Sequence, residues 1–125
     1  MKKRDYKLFI KDIIDAMEHI EEFVGDMTLE ELEANEMVSS AIIRKFEVIG
    51  EAVKQIPDKV REEHKGIQWK SMAGMRDRLI HAYFGIDYNL VWAAIKTEIP
   101  KLKPKLKKLL SSLEQEDKNE RTCIS

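Results

Sequence analysis

The sequence predicts an all-α fold, an antiparallel helical bundle of four to five main helices. Three observations point there. Apolar residues recur every three or four positions along most of the chain. Only five glycines and three prolines occur in 125 residues, too little turn material for a sheet-rich domain. Hydrophobic residues make up 43% and charged residues 36%, enough to fill one core and solvate one surface. A single domain over residues 1–115 is expected, followed by a polar, frayed tail over 116–125.

The elements follow in order. Tyr6, Phe9, Ile13, Met17, Ile20 and Val24 form one stripe and predict a first helix from about Asp5 to Val24, stopped by Gly25-Asp26. Thr28 and Glu31 have the spacing of a capping box, so a short second helix starts at Leu29. A third helix covers roughly Met37 to Ile56, with Val38, Ile42, Phe46, Ile49, Val53 and Ile56 on its apolar face. Gly50 inside it costs about 1 kcal/mol of helix propensity and suits the close approach of another backbone. Pro57 ends this helix and opens a short one over Asp58 to His64, closed by Gly66. The next helix starts near Trp69, carries Met72, Ala73, Met75, Leu79, Ile80 and Tyr83, and ends before Gly85 as a left-handed cap. Asp87 caps the following helix, which carries Leu90, Val91, Ala94 and Ile95. Pro100 and Pro104 are expected to break or kink the chain. Leu102, Leu106, Leu109 or Leu110, and Leu113 continue the stripe.

Charge is unevenly spread, although the net charge is −1. Ten acidic residues and no lysine or arginine lie between Asp12 and Glu36, whereas Lys96 to Lys108 holds six lysines and one acid, Glu98. The plain reading is two solvated helix faces. The functional reading is a local field that draws a polyanion to the lysine-rich end, with the acidic half open to a basic partner. Cys123 is the single cysteine and has no internal disulfide partner, which fits a reducing compartment, the cytoplasm. The basic start is followed by charges at Lys7, Lys11, Asp12 and Asp15, so neither a signal peptide nor a membrane span is expected.

Elimination narrows the chemistry. His19, His64 and His81 form no His-x-x-x-His spacing and no Glu-x-x-His pair, no Cys-x-x-Cys occurs, and there is no phosphate-binding glycine loop or serine elbow, so no metal and no cofactor is expected. The segment Arg76 to Tyr83 remains. Cleaving RNA without a metal needs a base for the 2′-hydroxyl proton and a cation for the phosphate. Histidine titrates near neutrality, arginine grips phosphate oxygens in a fork, and tyrosine can bond a phosphate or stack on a base. On a regular helix Arg76 and His81 would lie about 140° and about 7.5 Å apart, so they would meet one phosphate only across a cleft. A two-fold dimer would double this thin constellation. The plainer reading is a surface ion pair of Arg76 with Asp77, a core histidine and a packed tyrosine.

The motif Arg76-x4-His81-x-Tyr83 resembles the Arg-x4-His-x-Tyr motif of HepT-like toxins, a branch of the HEPN ribonuclease superfamily. The similarity extends to Ile49-Gly50-Glu51-Ala52, Ile67-Gln-Trp69, Met72 through Gly85, Asp87, Val91-Trp92 and Ile99-Pro100-x-Leu102, covering roughly residues 4–113. This resemblance implies a helical homodimer whose cleft holds both motifs, and a metal-independent endoribonuclease that arrests growth. It implies catalysis by Arg76 and His81, with Arg78, Tyr83 and Asp77 contacting RNA. Asp77 stands where such proteins commonly have Asn; an acid there orients His81 or Arg78, or weakly repels phosphate. The resemblance further implies a type VII-like pairing with an MNT-type nucleotidyltransferase antitoxin, which can transfer AMP to Tyr83, and complexes of dimer and antitoxin. The rival readings are a non-catalytic helical module that docks a partner protein and a nucleotide-binding helper that holds its ligand without cutting.

Overall fold

The computed structural model describes residues 3–81 and 85–124, with side chains described over 6–80 and 85–119. Its architecture is the helical bundle the sequence predicts. Helix α1 (Lys3–Val24) buries Ile10, Ile13, Met17, Ile20 and Val24, while Tyr6 and Phe9 pack half-buried at the edge. Helix α3 (Glu36–Lys54) lies along it and inserts Ile42, Phe46, Ile49 and Val53. Each fully buried side chain of this size contributes about 1.5–3 kcal/mol of transfer free energy, so this seam is the centre of the core.

The short elements are fixed by their caps. Helix α2 (Leu29–Ala34) starts with the predicted box: Glu31 N–H donates to Thr28 Oγ1 at 3.1 Å, and Thr28 N–H donates to Glu31 Oε1 at 3.2 Å. Asn35 Oδ1 accepts from Val38 N–H at 3.0 Å and starts α3 one residue before the predicted boundary. Ser39, a buried polar residue on α3, donates to the Leu32 carbonyl at 2.8 Å and ties α2 down. Helix α4 is Asp58–Glu63, followed by α5 (Trp69–Ala73), with Trp69 buried and its Nε1–H donating to the His64 carbonyl at 3.0 Å.

The helix expected from Trp69 through Tyr83 is three elements over its described residues, 69–81. It breaks at Gly74, resumes as α6 (Met75–Leu79), and ends where Ile80 turns extended at φ −123°, ψ 125°. Strand β1 (Ile80–His81) pairs antiparallel with β2 (Gly85–Ile86), Ile80 opposite Ile86 and His81 opposite Gly85. The physical reason is backbone satisfaction. The Leu79 carbonyl accepts the Asp87 N–H at 2.7 Å, outside any helix. Gly85 does have a positive φ of 76°, but it serves the hairpin rather than capping a helix.

Asp87 caps α7 (Tyr88–Ala93), its Oδ1 accepting from Leu90 N–H at 3.2 Å. Ala94–Glu98 form a π-helical turn that leads directly into α8 (Ile99–Ile124). The prolines do not break the chain. Pro100 sits at the start of α8, directly after the π turn, which widens the backbone where its ring would otherwise press on the preceding carbonyls. Pro104 is held inside the helix. Helix α8 runs on to Ile124, and Asp117 within it pairs with Lys7 of α1.

Helices α1 and α8 run antiparallel, and their charges record the register. Lys7 pairs with Asp117, Glu18 with Lys107 at 3.3 Å, and Glu21 with Lys103. Buried Leu102, Leu106, Leu109 and Leu113 form the apolar seam beneath, which settles the Leu109 or Leu110 alternative for Leu109. Among the described residues no helix is long and apolar enough to cross a membrane.

Gly50 is where α3 meets the α5–α6 corner. A Cβ built there would stand 3.0 Å from the Ala73 carbonyl oxygen and 3.7 Å from that of Met72. Helix propensity alone would make Gly50→Ala stabilising by about 1 kcal/mol. Overpacking against a fixed backbone carbonyl costs about 1–3 kcal/mol. We therefore expect Gly50→Ala to lose net stability in urea titration; a gain would show that the two backbones are not in close approach.

Candidate active site

The segment singled out by residue chemistry is divided among different local structures. Arg76, Asp77 and Arg78 stand on α6, all exposed, and His81 follows on strand β1. The helical separation expected between Arg76 and His81 therefore does not apply, because the chain is extended from Ile80. Arg76 presents from a helix and His81 belongs to a strand two residues beyond its end. The His81 side chain and all of Tyr83 lie outside the described residues.

Arg76 is 44% exposed and has two carboxylates near it. Its Nε lies 3.7 Å from Glu47 Oε2, and its Nη1 lies 3.6 Å from Asp77 Oδ1. The plain surface pair with Asp77 is thus present. Glu47 was not legible as a site neighbour in the sequence. It lies on α3, one turn before Gly50, so the close packing at Gly50 brings α6 beside it. It also pairs with Arg44. Both contacts to Arg76 are at ion-pair rather than hydrogen-bond distance and at least partly exposed, so they are weak, about 0–1 kcal/mol each.

Arg78 is used differently. Its Nη2 donates to both the carbonyl and the hydroxyl of Ser71, each at 3.0 Å, which pins α6 back onto α5. Asp77, 82% exposed, has Arg76 as its described partner and makes no described contact with Arg78. A small cavity of about 210 Å³ beside Arg78 is lined by Leu79, Leu90, Ala93 and Glu98, and Leu90 is 45% exposed on its rim. Among the described residues, no three His, Cys, Asp or Glu side chains gather as a metal-binding group.

The arrangement is a helical scaffold that presents an exposed arginine on α6 next to a histidine-bearing strand, residue types suited to phosphodiester chemistry. A family model described as ribonuclease HepT-like matches residues 13–109. A candidate RNase of Methanocaldococcus jannaschii is 49% identical over 115 residues, 92% of this chain and 99% of the relative. Another from the same organism is 46% identical over 119 residues, 95% and 98% of the two chains. A candidate ribonuclease HepT of Thermococcus cleftensis is 45% identical over 107 residues, 86% and 97%. No solved structure gives a significant match. The chain belongs to the HepT-like ribonuclease family, and its activity class is that of an endoribonuclease.

Asp87 supports the site from below, capping α7 while its N–H closes the hairpin onto Leu79. Asp87→Ala is expected to cost about 1 kcal/mol, with Asp87→Ser retaining most of it. Equal denaturation midpoints for all three proteins would count against the cap.

Proposed function

We propose that this chain is the toxin of a type VII-like HepT/MNT pair, cleaving RNA through Arg76 and His81 without a metal. The observation that carries the reading is the placement of an exposed Arg76 on α6 next to the strand that contains His81, in a chain of the ribonuclease family. His81 takes the proton of the 2′-hydroxyl, whose oxygen then attacks the adjacent phosphorus. The bond from phosphorus to the 5′-oxygen breaks, and the leaving oxygen collects a proton from an imidazolium. Products are a 2′,3′-cyclic phosphate and a 5′-hydroxyl. Arg76 leaves Glu47 and Asp77 to hold the phosphate oxygens as negative charge builds.

One histidine cannot be both base and acid within a single displacement. A two-fold dimer supplies the second copy, and the half-exposed Leu90 beside Arg78 is an apolar element suited to that contact. The nucleotidyltransferase antitoxin neutralises the toxin by transferring AMP to the Tyr83 hydroxyl. The added phosphate competes with RNA for Arg76.

His81→Ala is expected to lower cleavage by about 10²–10⁴-fold. Arg76→Ala should cost about 10²–10³-fold, with little rescue by Arg76→Lys, which lacks the fork. Activity should survive chelator. Wild-type rates in either alanine variant would sink the assignment. In a separate test, co-expression with the antitoxin should add one adenylyl mass that maps to Tyr83 and is missing in Tyr83→Phe. Modification at another residue would refute that role.

A further inference from the structure

The six lysines of 96–108 are not one patch. Lys96 lies over the Trp92 ring at 4.9 Å. Lys103 and Lys107 turn toward α1 and pair with Glu21 and Glu18. At about 100° per residue, Lys105 and Lys108 fall about 60° apart on the other side of α8. There they line a groove of about 390 Å³ together with His64, Gly66 and Ser112. Among the described residues no carboxylate lines this groove. The Lys105 ammonium donates to the Gly66 carbonyl at 2.9 Å, which fixes its position and leaves further N–H donors for a ligand.

This groove adjoins a second one. Ile67 lines both it and a larger groove of about 880 Å³ that carries Arg61, Lys65 and Lys70, with Asp58 and Glu62 as the opposing charges. The larger groove ends at Ser71, the residue that holds Arg78, two positions from Arg76. Arg61, Lys65 and Lys70 therefore lie along a surface that runs from Ser71, around the connection between α4 and α5, to the Lys105–Lys108 side of α8.

We propose that the groove at Lys105, Lys108 and His64 is a subsite for the phosphodiester backbone of single-stranded RNA, remote from the bond that is cut. The inference rests on the nuclease reading above and adds where the substrate runs. A strand has one phosphate per nucleotide, so a chain laid along this path meets cations well beyond the scissile position. Recognition is of the backbone and is independent of base sequence. An acidic protein surface would use the same cations. The shared Ile67, and the bond from Arg78 to Ser71 at the far end of the larger groove, favour RNA, since a substrate held at the motif must leave it along some surface.

The test uses full-length protein. Binding of a fluorescent single-stranded RNA of about 20 nucleotides is measured against salt concentration on the His81→Ala background, which keeps the probe uncut. Adding Lys105→Ala and Lys108→Ala should weaken binding about equally across RNA sequences. It should also flatten the logarithmic salt slope by roughly 1.4, at about 0.7 per phosphate on a single strand. Lys103→Ala with Lys107→Ala removes the same charge from the other side and should leave the slope unchanged. Ser112→Glu places a carboxylate in the groove without touching the Lys105 contact, and should weaken binding too. On the otherwise wild-type enzyme, the Lys105/Lys108 pair should raise KM for the long RNA and leave cleavage of a dinucleotide as it was.

An unchanged salt slope in the Lys105/Lys108 variant overturns the subsite. So does an equal loss in the Lys103/Lys107 control, which would reduce the effect to net charge. Loss of antitoxin binding with RNA binding intact would assign the groove to a protein and likewise overturn it. Failure of wild-type protein to cut either RNA sinks the nuclease reading instead, and is seen separately from the binding slopes.

Discussion

The approach of α3 to the α5–α6 corner at Gly50 is the constraint on which the site depends. Met72 and Ala73 present carbonyl oxygens toward that position, and any side chain there would meet the nearer one at 3.0 Å. Glu47 is one helical turn earlier on the same side of α3, so the contact that seats the corner also sets Glu47 near Arg76. The corner then orients α6, and Arg78 locks it by bonding back to Ser71. The segment that carries Arg76 is in this way referenced to the buried seam of the bundle, α1 against α3, rather than to a free loop. A helix of five residues could not hold its own direction in water.

Much of this fold was legible in the sequence, and the reason is periodicity. The stripes from Tyr6 to Val24 and from Val38 to Ile56 are long enough for one phase to dominate, and the structure buries them as expected. Caps were legible where a side chain does the capping, as at Thr28 and Asp87. The Trp69–Tyr83 stretch misled because its apolar spacing is helical while its backbone partners are not. Met72, Met75 and Leu79 are all buried, yet the chain breaks at Gly74 and again after Leu79. Only the tertiary bond from Asp87 N–H to the Leu79 carbonyl explains the second break, and no local pattern encodes a partner eight residues away. Gly74 was the available signal for the first.

The same distinction governs the site. Arg76, His81 and Tyr83 could be chosen by residue chemistry, since few side chains suit phosphodiester cleavage. Their mutual geometry could not, because it was read from a helix that ends before His81 is reached. Glu47 was invisible for a related reason: it meets Arg76 only through the packing at Gly50. The contact is half-exposed and at ion-pair distance, so Glu47 orients the Arg76 guanidinium only weakly.

Charge placement resolves how a chain of net charge −1 can serve a polyanionic substrate. Screening limits the reach of a surface charge to about 8–10 Å, so RNA responds to the local set of side chains and not to the total. The acidic excess of α1 is partly matched internally, where Glu18 and Glu21 face Lys107 and Lys103 across an antiparallel seam. Those two lysines serve helix register and are lost to the surface field. Lys105 and Lys108, turned away by helical phase, keep theirs. Pro104 could have destroyed that sorting by breaking the helix between Lys103 and Lys105. Because α8 continues through it, one run of lysines is divided into a face that pairs with α1 and a face turned away from it. The uneven charge of the sequence is thus two devices interleaved on one helix, and only the helical phase tells them apart.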